Sequence, residues 1–364
     1  MVPDHADTAR RLIVREVTLR DFRSYARLDV ELEPGLVLVT GPNGAGKTNL
    51  LEAIHVGTQG FSPRTRADAQ LVRRGSERAR IALAGSRGGV PTATEVELGL
   101  HTAKRARLNG AVVRSAEQLR TEIATLVFTP DRLAVVKGGP AARRAYFDRV
   151  LGRLLPARSA LPVEYGTALG QRNAALRRLA AGVSSRDALD PWTEQVSELG
   201  ASLVEARREA VALLAPGFEA RASELGLPAG ELVYDGEAAT VEELEARLER
   251  DLERGATGAG PHLHDVAVRS GDRDLRAFGS QGEQRLAVLA LLLSEAELLC
   301  AHGDVAPLLL LDDALSELDG DRRRVLSERL GVSGQTIVTA TGAEALPLAP
   351  AQLLTVSPGE VRPG

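Results

Sequence analysis

Near its start the chain alternates apolar and polar residues. Leu12 to Leu19 reads as a strand, and in Ala26 to Leu32 the apolar Leu28, Val30 and Leu32 stand against Asp29 and Glu31, the period-two pattern of a strand with one wet face. After the turn residues Pro34-Gly35 the alternation gives way to a continuous apolar run, Leu36 to Thr40, which predicts a strand covered on both faces. Asn49 to Val56 then places Leu50, Leu51 and Ile54 on one helical face. Short alternating stretches return at Ile81 to Ala84, Thr94 to Leu100 and Ala106 to Val113, divided by Gly85 to Gly89 and by Asn109-Gly110. Asn-Gly between alternating segments predicts a two-residue hairpin turn, and the set predicts an antiparallel sheet layered on the core. Leu126-Val127-Phe128 predicts another buried strand, ending at Thr129-Pro130.

From Ala141 to about Arg221 the period lengthens to that of amphipathic helices, notably Ala168 to Leu179 and Glu194 to Leu214, and Val241 to Arg254 adds another. Asp251 to Gly260 is charged and then glycine-rich, and is expected to lead back toward the core. Arg285 to Leu299 predicts a further helix, Leu308 to Leu311 and Gln335 to Val338 further buried strands. The organisation that follows is an α/β core of residues 12–140 and 261–360 interrupted by a helical lobe, residues 141–260, too short for a long coiled-coil arm.

The chemistry sits at the seams of this pattern. Gly41-Pro42-Asn43-Gly44-Ala45-Gly46-Lys47-Thr48 completes G-x-x-x-x-G-K-[ST] between a strand and a helix, the context in which backbone N–H groups and a helix N-terminus cradle phosphates. Lys47 is expected on the β and γ phosphates of ATP and the Thr48 hydroxyl on Mg²⁺. The acidic strand that completes such a site, Leu308 to Leu311 followed by Asp312-Asp313, lies far downstream, with Asp312 264 positions beyond Thr48. Asp312 is expected to hold Mg²⁺ and Asp313 to polarise the attacking water. Phe278-Gly279-Ser280-Gln281-Gly282-Glu283-Gln284 precedes the Arg285 to Leu299 helix. Ser280 and Glu283 have capping-box spacing, and Gly279 with Gly282 would let a phosphate approach, so a second phosphate-contacting element is expected there.

These segments resemble the ATP-binding-cassette ATPases, Ser280 to Gln284 as the signature and Ser316-Glu317-Leu318-Asp319 as the D-loop. The resemblance is greatest to the RecF family, the recombination-mediator branch related to chromosome-maintenance ATPases. It runs through Leu19 to Tyr25, Gly41 to Glu52, Phe128 to Leu133, Gly138-Gly139-Pro140, Arg143-Arg144, Phe147-Asp148, Gly260-Pro261-His262, the signature, and Leu311 to Asp319. One departure is Leu263-His264-Asp265, where the family usually has Arg-Asp-Asp. The resemblance implies a P-loop ATPase head, with a mixed core sheet plus an antiparallel layer and a helical lobe inserted between phosphate loop and signature. It implies nucleotide contacts by Gly41, Asn43, Gly44, Gly46, Lys47, Thr48, Asn49, Ser280, Gln281 and Gly282. It further implies an ATP-dependent homodimer and slow hydrolysis, with Asp313 where transporters carry a longer glutamate. Thr339 or Thr341 is expected where transporters place a histidine near the γ phosphate. The implied setting is double-stranded and gapped DNA, with RecR as partner and RecO and RecA in the pathway.

Composition narrows the alternatives. With 44% hydrophobic and 26% charged residues, no apolar run long enough to span a bilayer and a polar Met1 to Arg11, the chain is expected in the cytosol rather than as a membrane protein. The nucleotide-binding subunit of a membrane transporter, the competing reading, predicts a glutamate at position 313. A formal net charge of −4 means that DNA binding needs a local patch, for which Arg64, Arg66, Arg73, Arg74, Lys104 and Arg105 are the candidates. Arg143, Arg144, Arg172, Arg177 and Arg178 are candidates to extend it. The single cysteine, Cys300, lies between Leu299 and Ala301 and is expected to be a buried thiol.

Overall fold

A computed structural model describes residues 12–114, 116–302, 305–332 and 334–364. The polar segment Met1 to Arg11 lies outside them. The first strands are β1 (Leu12–Phe22), β2 (Tyr25–Glu31) and β3 (Leu36–Thr40), followed by helix α1 (Lys47–Gln59). Next come β4 (Arg78–Arg87), β5 (Val90–Gly99), β6 (Arg105–Leu108), β7 (Ala111–Val112), α2 (Ala116–Glu122) and β8 (Thr125–Phe128). Helices α3 (Ala134–Lys137), α4 (Pro140–Leu154), α5 (Leu161–Ala180) and α6 (Asp190–Glu224) lead to β9 (Gly230–Val233), α7 (Val241–Ala246) and α8 (Leu248–Arg254). The chain continues through β10 (Ala267–Ser270), β11 (Arg273–Asp274), α9 (Leu275–Phe278) and α10 (Gln281–His302). It closes with β12 (Leu308–Leu311), α11 (Gly320–Val332), β13 (Thr336–Ala340), β14 (Gln352–Ser357) and β15 (Glu360–Pro363).

Among the described residues the strands form three sheets. The core sheet has the order β15-β14-β3-β13-β12-β8, parallel except for β15. Strands β3, β13, β12 and β8 are buried at every position, as their continuous apolar runs require. The second sheet, β2-β1-β4-β5-β6-β7, is antiparallel throughout and alternates buried with exposed positions. Two of its hairpin turns are Gly88-Gly89 and Asn109-Gly110, all four residues at positive φ, and Arg23-Ser24 joins β1 to β2. Gly85, expected in a turn, instead lies inside β4, where a Cβ would stand 1.9 Å from the Ile13 carbonyl oxygen. The third sheet, β11-β10-β9, is small and antiparallel.

The chain divides into two compact units. The first comprises residues 12–133, 224–226 and 288–364, and the second 134–223 and 227–287. Within the first, Leu19, Phe22, Val37, Val39, Leu50 and Ile54 belong to one core with Leu310 and Ile337. Within the second, Leu151, Tyr165, Val196 and Leu203 form a helical core, and a smaller cluster gathers Leu176 and Leu189 with Trp192, Leu248 and Leu252.

The division falls at Val288 rather than near residue 260, and hydrogen bonding accounts for it. β10 pairs with β9, and Asp265 holds Arg143 through its Nε at 2.7 Å, so residues 261–287 stay with the helices. The helix expected over Val241 to Arg254 breaks at Arg247, whose ψ of −2° ends α7 before α8 begins. Cys300 is exposed, because the buried stretch of α10 ends at Ala296 while its apolar sequence runs on. None of the described helices is long and apolar enough to cross a membrane.

Candidate nucleotide site

β3 delivers the chain into the phosphate loop and α1 leaves it at Lys47. Gly41 (φ 147°) and Gly46 (φ 118°) take left-handed geometry at the two ends of the loop, and both are crowded. A Cβ on Gly41 would stand 2.3 Å from the Val356 carbonyl oxygen, and one on Gly46 2.9 Å from the Tyr25 hydroxyl oxygen. That hydroxyl donates to the Gly46 carbonyl at 3.1 Å, and the Asn49 amide donates to the Ser24 hydroxyl at 2.9 Å. The turn between β1 and β2 therefore braces the loop from behind. On the other side Asn43 and Gly44 are exposed, and a Cβ on Gly44 would meet nothing within 4 Å. The loop is open where a phosphate would enter.

The Lys47 ammonium donates to the carbonyls of Gly41 at 2.6 Å and Pro42 at 3.0 Å. Burial pushes this lysine below its ordinary range, while the charges of Asp312 and Asp313 pull it back up. Both carboxylates thus act on Lys47 despite their distance along the chain. The Thr48 hydroxyl reaches the Asp312 carboxylate at 2.9 and 3.0 Å, closing the two halves of the motif onto each other. A hydroxyl and a carboxylate are hard oxygen donors, the set that suits Mg²⁺.

Asp312 follows β12 directly, and its other neighbour is Thr339 of β13, whose hydroxyl donates to Oδ1 at 2.8 Å. Asp313 leaves the strand with φ 52°, the left-handed region, so the two acidic residues do not simply alternate along an extended segment. Its backbone N–H donates to the Thr339 hydroxyl at 3.0 Å, and its carbonyl accepts from Ser316 at 3.2 Å.

The signature segment lies in the second unit. Ser280 and Glu283 form a reciprocal capping box, with Ser280 N–H donating to the Glu283 carboxylate at 2.8 Å and Glu283 N–H to the Ser280 hydroxyl at 3.2 Å. The first of these bonds, then the Arg273 guanidinium, hold the Glu283 carboxyl down at about 2. The Gln284 amide donates to the carbonyls of Leu275 (2.8 Å) and Gly279 (3.2 Å), pinning α9 to the start of α10. Gly279 is required by its own chain, since a Cβ would stand 2.5 Å from the Leu275 carbonyl oxygen. Gly282 is different: the nearest atom to a Cβ there is the Ser280 hydroxyl oxygen at 4.0 Å, so this helix terminus is accessible at Gly282.

Over residues 13–360 the sequence matches the family model for the RecF/RecN/SMC N terminal domain. The chain belongs to this RecF/RecN/SMC family. Its fold is similar to that of the recombination mediator protein RecF-ATPrS in the RecFOR pathway, at 26% identity and a TM-score of 0.87 over 98% of this chain and 99% of that one. RecF-ATP in the RecFOR pathway aligns at 26% identity and a TM-score of 0.86 over 96% and 97%. The Smc head domain with an extended coiled coil from Pyrococcus furiosus, bound to the C-terminal domain of ScpA, shares the fold at 16% identity, with a TM-score of 0.58 over 96% and 95%. The architecture is thus the P-loop ATPase head of the RecF/RecN/SMC family, a mixed sheet with an antiparallel layer and a helical insertion.

The candidate DNA-contacting residues of this family member divide by environment. Arg66, Arg74 and Arg105 are exposed. Arg73 lies 4.0 Å from Asp21, and Lys104 lies 3.0 Å from Asp68. Arg64 is turned toward α1, where its guanidinium donates to Glu52 at 3.2 Å beside Arg23 (2.8 and 2.9 Å) and the Ser62 hydroxyl (2.6 Å). The Glu52 carboxylate is fully buried and was not singled out from sequence, because its partners come from the β1–β2 turn and from residues 62–64.

Two of the arginines expected to extend the patch are interior. Arg143 is paired with Asp265, and Arg172 with Asp251 at 2.9 Å, both arginines almost fully buried. Asp265 lies in the segment that departs from the family pattern, so the carboxylate kept there serves as the Arg143 counter-ion. His264 beside it meets the Tyr234 hydroxyl at 3.1 Å and His262 the Tyr165 hydroxyl at 2.8 Å, and desolvation pushes both imidazoles below the usual histidine range.

Proposed function

We propose that this protein is an ATP-dependent, duplex-DNA-binding ATPase of recombinational repair, which pairs with a second copy when ATP is bound and acts at single-strand gaps. The observation that carries the reading is the closed phosphate site, in which Thr48 and Asp312 meet and Lys47 lies within the field of both acidic residues. Full-length similarity to RecF-ATP in the RecFOR pathway supports the setting. RecR as direct partner, with RecO and RecA in the same pathway, belongs to this proposal.

In the reaction, N–H groups of residues 43–48 and the α1 terminus hold the phosphates, with Asn49 and Thr339 at the edges of the site. Thr48 and Asp312 would hold Mg²⁺, which supplies neutralisation of phosphate charge. Asp313 orients a water whose oxygen bonds to the γ phosphorus as the bond to the β–γ bridging oxygen breaks, and the water proton passes to solvent or the carboxylate. Aspartate is one methylene shorter than the glutamate of transporters and holds that water less closely, so turnover is slow and ATP serves as a clamp. Ser280, Gln281 and Gly282 of a second copy complete the phosphate contacts. Arg66, Arg73, Arg74, Lys104 and Arg105 supply charge for the duplex, with Arg64 at the margin.

Duplex affinity and association state measured together without nucleotide, with ADP and with ATP test the reading. Tight duplex binding appears only with ATP-induced dimers, and it disappears in Lys47→Met and Ser280→Arg. Charge reversal at Arg73/Arg74 and at Lys104/Arg105 lowers affinity and flattens its salt dependence. Nucleotide-independent binding by monomers, or reversal variants that bind as the parent does, would sink the proposal.

A further inference from the structure

The Thr339 side chain, expected near the γ phosphate, is fully buried on a strand of the core sheet. A threonine hydroxyl has one proton to give and two lone pairs with which to accept. The proton goes to Asp312 Oδ1 at 2.8 Å, and a lone pair receives the Asp313 N–H at 3.0 Å. Its only proton is therefore committed, and none remains for a phosphate oxygen while this arrangement holds.

We infer that Thr339 is a positioning residue, whose hydroxyl ties the Asp312 carboxylate to the backbone of Asp313 and so fixes the left-handed turn that presents Asp313 to the reacting water. The inference rests on the ATPase reading above. A non-glycine residue at φ 52° persists where its surroundings over-determine it. Here two hydroxyls do so, Thr339 at the Asp313 N–H and Ser316 at its carbonyl oxygen. The same Asp312 carboxylate accepts from Thr48, so one hydrogen-bonded line runs from α1 through Asp312 and Thr339 to Asp313. Register fixes it in place, because Leu311↔Val338 is the last pair of the β12–β13 ladder and Thr339 is the next residue.

Thr339→Val keeps the shape and removes the hydroxyl, whereas Thr339→Ser keeps the hydroxyl. Two readouts apply: hydrogen exchange at the Asp313 amide in the nucleotide-free protein, and ATP turnover beside the affinity for a fluorescent ATP analogue. In Thr339→Val the Asp313 amide exchanges faster and kcat falls about tenfold or more, with affinity within about threefold of the parent. Thr339→Ser restores both, and Thr339→Ala replaces the valine variant if that one does not fold. Unchanged exchange or unchanged kcat in the valine variant would overturn the inference. So would an affinity loss as large as the turnover loss, which would make Thr339 a ligand contact, or a serine variant that fails to rescue. If the parent protein binds no ATP analogue, the nucleotide reading fails, and the exchange data alone still decide whether Thr339 holds the turn.

Discussion

Gly41 is the least replaceable residue of the phosphate loop on steric grounds. Its φ of 147° and the 2.3 Å that would separate a Cβ from the Val356 carbonyl oxygen leave no relaxed position for alanine, since the clash is with backbone. Gly41→Ala should cost about 2–3 kcal/mol in urea unfolding, against about 1 kcal/mol for Tyr25→Phe, which removes one donor to the Gly46 carbonyl and leaves it the Leu50 N–H at 3.0 Å. An equal loss in the two variants would show that crowding against Val356 is not what limits the site. That Lys47, Thr48 and Asp312 come together was legible, because the two halves of one short motif imply it. The hydrogen-bond partners of Thr339, Tyr25 and Glu52 were not, because they are brought in from other strands and turns. Arg143 and Arg172 mark the same limit from the other side. Counting charge along the chain finds them, but only the fold supplies Asp265 and Asp251, 122 and 79 positions away.

At the scale of elements, the Arg172–Asp251 pair fastens α5 to α8. Both side chains are about 1% exposed, and Arg172 also donates to the hydroxyls of Thr257 at 2.7 Å and Thr193 at 3.2 Å. Removing one charge from such a pair strands the other in a dry interior. Asp251→Asn should therefore destabilise the second unit by about 3–5 kcal/mol, read as a lowered melting transition. A melting curve unchanged from the parent would mean that water reaches the guanidinium. The continuously buried strands, the alternating strands and the Asn-Gly turn were readable, since each has a distinct sequence pattern, whereas β9, β10, β11, β14 and β15 were not expected. The break at Arg247 was hidden, because the apolar spacing of Val241 to Arg254 suits one helix as well as two.

At the scale of the whole molecule, the core sheet is assembled from both ends of the sequence. β3 lies between β14 and β13, and β8 has β12 as its neighbour, so neither strand finds a partner within the first 140 residues. A fragment of residues 1–140 should leave the amides of Val37 to Val39 unprotected in hydrogen exchange, with any protection confined to the antiparallel layer, whose strands it contains entire. Native-level protection of those amides would contradict this account. That the core is split was legible from the distance between phosphate loop and acidic strand. Where the inserted unit ends was not, because β10 was not expected as a strand and only the fold shows that it pairs with β9.

The interruption also carries an energetic asymmetry. Bringing Thr48 to Asp312 closes a loop whose entropic cost grows only with the logarithm of its length, so doubling the intervening chain adds about 0.6 kcal/mol. The hydrogen bonds at the closure depend on β3, β12 and β13 and take nothing from how much polypeptide lies between. The meeting of Thr48 with Asp312 is thus nearly indifferent to the size of what is spliced between them, and residues 134–223 and 227–287 occupy a position at which chain can be lengthened or exchanged while that contact stays where it is.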